Sequence, residues 1–276
     1  MPDWHPHLDV WLLLGGVWVA YLVAVRTHAR TAPPADLEER GRRSALFSTG
    51  LALLLLVSDW PVHDLAEGYL YSAHMVQHLV YTLVAAPLLV VGIPSWMWRL
   101  VLRVPPLGAA FGFLTRPVVA IATFNGLLLF THWPEVVEAS VSSELTHFGL
   151  HLLIVGSAIV MWWPVLSPLA ERPALSPPGQ MLYLFVQSIA PTIPASFLTF
   201  GRSPLYPVYE TFPRIWGISA ITDQLVAGLV MKIAGGLILW GFIAAIFFRW
   251  HARERDGWDA LALRQVERDV RAGVLK

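Results

Sequence analysis

The sequence predicts an all-α, polytopic membrane protein, a bundle of about seven transmembrane helices with its N-terminus outside and its C-terminus in the cytoplasm. Three observations carry this. Of 276 residues, 56% are hydrophobic and 14% charged, with a mean hydropathy of +0.58, whereas a soluble domain is about half apolar and about a quarter charged. The apolar residues fall in blocks that approach or exceed the roughly 20 residues of helix needed to cross a hydrocarbon core. Basic residues are concentrated in alternate connections, as the positive-inside rule requires.

The predicted spans are roughly 9–25, 44–58, 69–93, 117–132, 145–163, 181–200 and 218–248. The first is preceded by no Lys or Arg and followed by Arg26 and Arg30. That is the reverse of a cleaved leader's charge order, so it is expected to be retained. The second is short, and the last is long enough to tilt or to run past the bilayer. Residues 94–116, with Pro94, Pro105, Pro106, Arg99 and Arg103, suggest an interfacial segment rather than a further span. Pro164, Pro168, Pro173, Pro177 and Pro178 break any helix across 164–180. Pro191 and Pro194 fall inside the sixth span, where a kink is tolerable.

With the N-terminus outside, 16 of the 19 Lys and Arg lie on the cytoplasmic side and 2 outside, with Lys232 inside the last span. The expected organisation is a membrane domain over 1–248 and a cytoplasmic tail over 249–276. In the tail, Trp258, Leu261, Leu263 and Val266 among Arg, Glu and Asp read as an amphipathic surface helix. Zero net charge gives no reason to expect nucleic acid as a partner, which leaves the lipid bilayer. The absence of cysteine excludes disulfides, thiolate ligands and thiol catalysis.

Functional signal lies in the histidines. Of ten, only His28 and His251 map to the cytoplasmic side. His5, His7, His63, His74, His78, His132, His147 and His151 map to external segments or to outer ends of spans. His74 and His78 open the third span, and His147 and His151 open the fifth from the same side. Residues four apart stand on one helix face, so each pair can offer adjacent nitrogens to one metal ion. Two external loops add Asp59, Asp64, Glu67, Glu135, Glu138 and Glu144 without any Lys or Arg, an acidic mouth that would concentrate a cation. His5 and His7 are expected to belong to a mobile terminus, and the methionines to packing, apart from Met75 between the two histidines of the third span.

A metal centre is therefore expected from His74, His78, His147 and His151, with His132, His63, Met75, Asp59 and Asp223 as auxiliary or supporting groups. Nitrogen donors without thiolate suit Cu(II), zinc, nickel or iron, and an adjacent thioether shifts the balance toward Cu(I).

The stretch from Leu70 to Leu79, with His74, Met75, Gln77 and His78, is followed by Ala86-Pro87 and Gly92-Ile93-Pro94. Trp162-Trp163-Pro164-Val165, Pro204 to Tyr209, Asp223-Gln224, Ala227-Gly228 and Met231 come after it in order. Together they resemble the multi-spanning CtaG-type cytochrome c oxidase assembly factors of bacteria, distinct from the single-span copper chaperone that shares that name. The resemblance covers about residues 45–245. It implies a non-enzymatic role in maturing a haem-copper oxidase in the bacterial inner (cytoplasmic) membrane, with copper as the ion and oxidase subunits or other copper chaperones as partners. His74, Met75, His78, Asp223 and Met231 are the motif positions it points to.

The leading expectation is thus a membrane metallochaperone binding copper at the outer face. An integral-membrane zinc hydrolase, with Ser58, Asp59 or Asp223 near the imidazoles, is the runner-up. A bis-histidine haem protein comes third.

Overall fold

The computed structural model describes residues 6–271 of the chain. Every regular element among them is helical. Five helices are long and apolar enough to cross a membrane, and two bent helix pairs bring the number to seven. The all-helical, multi-spanning architecture expected from the sequence is therefore the one observed.

Helix α1 (Leu8–His28) packs on α2 (Pro34–Ser58), where Tyr21 stacks on Phe47 at 3.8 Å and the Trp18 indole donates to Ser48 Oγ at 2.9 Å. A 44° bend leads into the short α3 (Val62–Gly68). Helix α4 (Tyr71–Gly92) follows as a full span. The proline-rich connection folds as α5 (Ser95–Leu102) and α6 (Pro105–Leu114). Helix α6 meets α7 (Pro117–Thr131) at 86°, in keeping with an interfacial segment in place of an eighth span.

Next come α8 (Pro134–Ser142), α9 (Glu144–Leu166) and α10 (Pro177–Phe200). Helix α10 is interrupted at Ala190 and Pro191, where the sequence places its kink. The last helix, α11, spans Ala220–Asp256 and continues to Arg271. Arg249 onward is thus a continuous extension of the last span. The side chains of Trp258, Leu261, Leu263 and Val266, on which an amphipathic tail depends, lie outside the described residues, as does His5.

Burial ranks the helices. The apolar stretches of α4 and α9 are 61% and 50% buried, that of α1 only 11%. Helices α4 and α9 therefore form the centre and α1 lies outside against α2. The sheath is apolar: Leu12 and Val118 are each 78% exposed and Leu237 69%, as lipid-facing side chains should be.

Small residues let the inner helices approach. A Cβ at Gly92 would lie 2.5 Å from the backbone nitrogen of Phe47, and one at Gly228 would lie 2.5 Å from Thr199 Oγ1 and 2.9 Å from the Ala195 carbonyl oxygen. Helix α4 widens to a π-type turn over Val80–Ala85, and α11 does so over Val230–Ala234. Such turns loosen the carbonyl ladder, and the Trp162 indole of α9 donates to the Thr82 carbonyl there at 2.7 Å.

Candidate metal centre

The site is built at the start of two central helices. Helix α9 begins at Glu144, with Ser143 Oγ accepting from the Thr146 N–H at 3.3 Å, which places His147 and His151 in its first two turns. Helix α4 begins at Tyr71 behind Leu70, which has no side chain able to cap it. Asp223 of α11 does this from across the bundle. It accepts from the Tyr71 N–H at 2.7 Å, the Ser72 N–H at 3.0 Å and the Ser72 hydroxyl at 2.5 Å. A carboxylate at a helix N-terminus offsets both the unmet N–H groups and the dipole. Gln224 beside it accepts from the Leu205 N–H at 2.5 Å and donates to the Leu198 carbonyl at 3.2 Å. The Asp-Gln pair therefore sets backbone rather than facing the imidazoles.

From this register, both histidine pairs point at each other. Ring centroids are 4.4 Å apart for His74 and His78, and 4.1 Å for His147 and His151. Across the helices, His74 lies 5.6 Å from His151 and 5.8 Å from His147, and His78 lies 5.4 Å from His151. One nitrogen each from His74, His147 and His151 falls within 4.8 Å of the others, the spacing at which one ion can take all three. The three rings line a cavity of about 440 Å³ with Glu67, Glu144, Ser140 and Tyr209.

The test of fit is whether these imidazoles are otherwise occupied. On His74 and His151 they are not: His74 Nδ1 and His151 Nε2 are buried without a hydrogen-bond partner, as are His78 Nε2 and His132 Nε2 nearby, whereas His147 meets Glu67 and Ser140. A buried polar atom left unpaired costs about 1–3 kcal/mol. Four of them at one end of a bundle fit a site that takes up an ion through neutral nitrogen donors. Three imidazoles suit Cu(II) or Zn(II).

The other expected residues are distributed around this chamber. His132 ends α7 with its Nδ1 2.7 Å from the Leu128 carbonyl oxygen and its ring 6.1 Å from that of His78. It lines a separate cavity of about 50 Å³ with Met75 and Met231. Met75 faces that side because it is one residue, about 100° of helix, from His74. His63 lies beside the chamber, its Nε2 3.3 Å from Glu67 Oε1 and its ring 5.6 Å from that of His147.

Asp59 is not brought to the chamber. It accepts from the Trp11 indole at 2.8 Å and the His7 N–H at 3.4 Å, joining α1 to α2. Asp223 is likewise committed, to the start of α4. Ser58 pairs with the Tyr81 hydroxyl at 2.8 Å.

Two residues enter that the sequence had not placed among the candidate ligands. Glu67 approaches His147 Nε2 at 2.8 Å, and its spacing of four from His63 was the available signal. His7, expected in a mobile terminus, packs edge-on to His63 at 4.5 Å and reaches Asp64 at 3.3 Å, for which no local pattern exists. Beside the chamber, burial pushes the Tyr206 phenol up to about 12, although its contact with Tyr71 lowers it. It stays protonated and donates to the His132 carbonyl at 2.8 Å.

Fold and site together define a polytopic helical membrane protein with an imidazole-lined chamber at one end of the bundle. The chain belongs to the cytochrome c oxidase caa3 assembly factors (Caa3_CtaG), whose family model matches residues 19–253. Neither the curated proteins nor the solved structures gave a match.

Proposed function

We propose that this assembly factor is a metallochaperone that holds copper on His74, His147 and His151 for a haem-copper oxidase, without catalysing a reaction. The carrying observation is three mutually facing imidazoles within 4.8 Å at an open cavity, with partnerless nitrogens on His74 and His151. An open three-nitrogen set suits exchange, since a closed four-ligand site would retain its ion.

Charge distribution orients the site. The loops at the chamber end, 59–68 and 133–144, carry no Lys or Arg, while the opposite connections hold Arg40, Arg42, Arg43, Arg99 and Arg103. Under the positive-inside rule the chamber faces outward from the bacterial inner membrane, where partner oxidase subunits or other copper chaperones would meet it.

Elemental analysis of the detergent-purified protein after copper loading tests the reading, with His74→Ala/His151→Ala as the control. Copper near one equivalent in the parent, held much more weakly by the variant, supports it. Zinc in the protein as isolated, with hydrolysis lost on chelation, would instead favour the hydrolase, with Glu67 beside the three imidazoles in the position of a base. Copper unaffected by the substitutions would refute the assignment of the ion to the chamber.

A further inference from the structure

We propose that His63, Glu67 and His147 form a second metal site, a landing site for a divalent cation of the Cu(II) or Zn(II) class. His147 then passes the ion to the chamber. The proposal deepens the chaperone reading and rests on it for the ion's destination.

The geometry is direct. The ligand atoms of the three residues lie within 4.8 Å of one another. A single oxygen, Glu67 Oε1, stands 2.8 Å from His147 Nε2 and 3.3 Å from His63 Nε2. Each imidazole is held with that nitrogen forward. His63 Nδ1 lies 3.3 Å from Gln77 Nε2, itself anchored on the Val57 carbonyl, and His147 Nδ1 lies 3.2 Å from Ser140 Oγ. Ser140 Oγ can accept from His147 Nδ1, the kind of outer contact that orients a metal-binding imidazole, whereas the Gln77 amide donates to His63 Nδ1 and fixes that ring's position. Among the described residues no Lys or Arg is paired with Glu67, whose ion contacts are these two histidines. Its charge is open to a bound cation.

Position makes this a landing site rather than a duplicate. Glu67 and His147 line the chamber and also a second cavity of about 280 Å³ that runs past His7 and His63 beside the outlying helix α1. Exposure falls inward, with the Glu67 side chain at 34%, His63 at 12% and His147 at 8%. His147 belongs to both triads. An ion that keeps its bond to His147 need only release Glu67 and His63 and take His74 and His151. No redox change is required. The donor change from two nitrogens and an oxygen to three nitrogens also runs toward a set better suited to copper.

Two measurements on the full chain in detergent test this, with Cu(II) as the probe. Stopped-flow loading of Glu67→Gln should be roughly tenfold slower than wild type, with the final copper content unchanged. The chamber-less His74→Ala/His151→Ala variant should still bind Cu(II) more weakly, with fewer nitrogens in its electron paramagnetic resonance spectrum, and lose it when Glu67→Gln and His63→Ala are added. Wild-type loading rates in Glu67→Gln, with no Cu(II) on a chamber-less variant that elutes as folded protein, overturn the landing site and leave the chamber standing. If instead wild-type copper persists unchanged without the chamber and is lost with Glu67 and His63, the landing site holds and the chamber reading fails.

Discussion

Replacing Asp223 separates two roles that the sequence alone left merged. The residue is 1% exposed, and its carboxylate takes three hydrogen bonds from the first two residues of α4. Asp223→Ala leaves the Tyr71 and Ser72 N–H groups without an acceptor, and each such buried loss costs about 1–3 kcal/mol. Removing a negative charge from a helix N-terminus adds up to about 2 kcal/mol in a buried setting. A loss of about 2–8 kcal/mol is expected on this basis. Asp223→Asn keeps one acceptor oxygen and should lose about half as much. The assay is thermal unfolding in detergent beside copper content at low temperature. The unfolding temperature should fall in the order wild type, Asn, Ala, while the Asn protein keeps its copper, because Asp223 touches no imidazole of the chamber. Unchanged unfolding in both variants with copper lost would make Asp223 a ligand and refute the capping argument.

Other outcomes follow from the same contacts. Gly92→Ala forces a Cβ onto the Phe47 backbone and should cost about 1–3 kcal/mol by overpacking, seen as a lower unfolding temperature with copper content retained. His78→Ala should weaken copper binding less than His151→Ala, because His78 lies outside the closest triad; isothermal titration compares them. Acidification should release copper, since imidazole ligands must be neutral to bind, a loss read as copper content against falling pH. In alkali the sign reverses for Tyr206. Its raised value means its contribution to stability is intact below about pH 10 and is lost as pH climbs toward about 12, a decline that Tyr206→Phe should lessen in an alkaline unfolding series.

The spans were legible because lipid imposes long apolar blocks on any helix that crosses it. Proline positions also foretold the break in α10 and the bent connection ahead of α7. The four central histidines were legible because spacing by four fixes their face regardless of tertiary detail. That rule carried further than it was taken: His63 and Glu67 share the spacing, and Met75 is turned off the imidazole face by one step of helix. Asp59 and Asp223 were open to misreading for a different reason. A carboxylate near a membrane boundary must have a partner, but whether that partner is a metal or the N–H groups of a distant helix is decided by packing alone. The approach of His7 to His63 likewise depends on α1 lying against α2, which no local pattern encodes.

The central claim, that the imidazole chamber holds copper, meets its most direct test in X-ray absorption of the copper-loaded protein. Copper in the chamber should show a nitrogen-only shell with the outer scattering of about three imidazoles, reduced in His151→Ala. A sulfur neighbour would move the ion to the cavity of Met75 and Met231, and a shell without imidazole scattering would contradict the account outright.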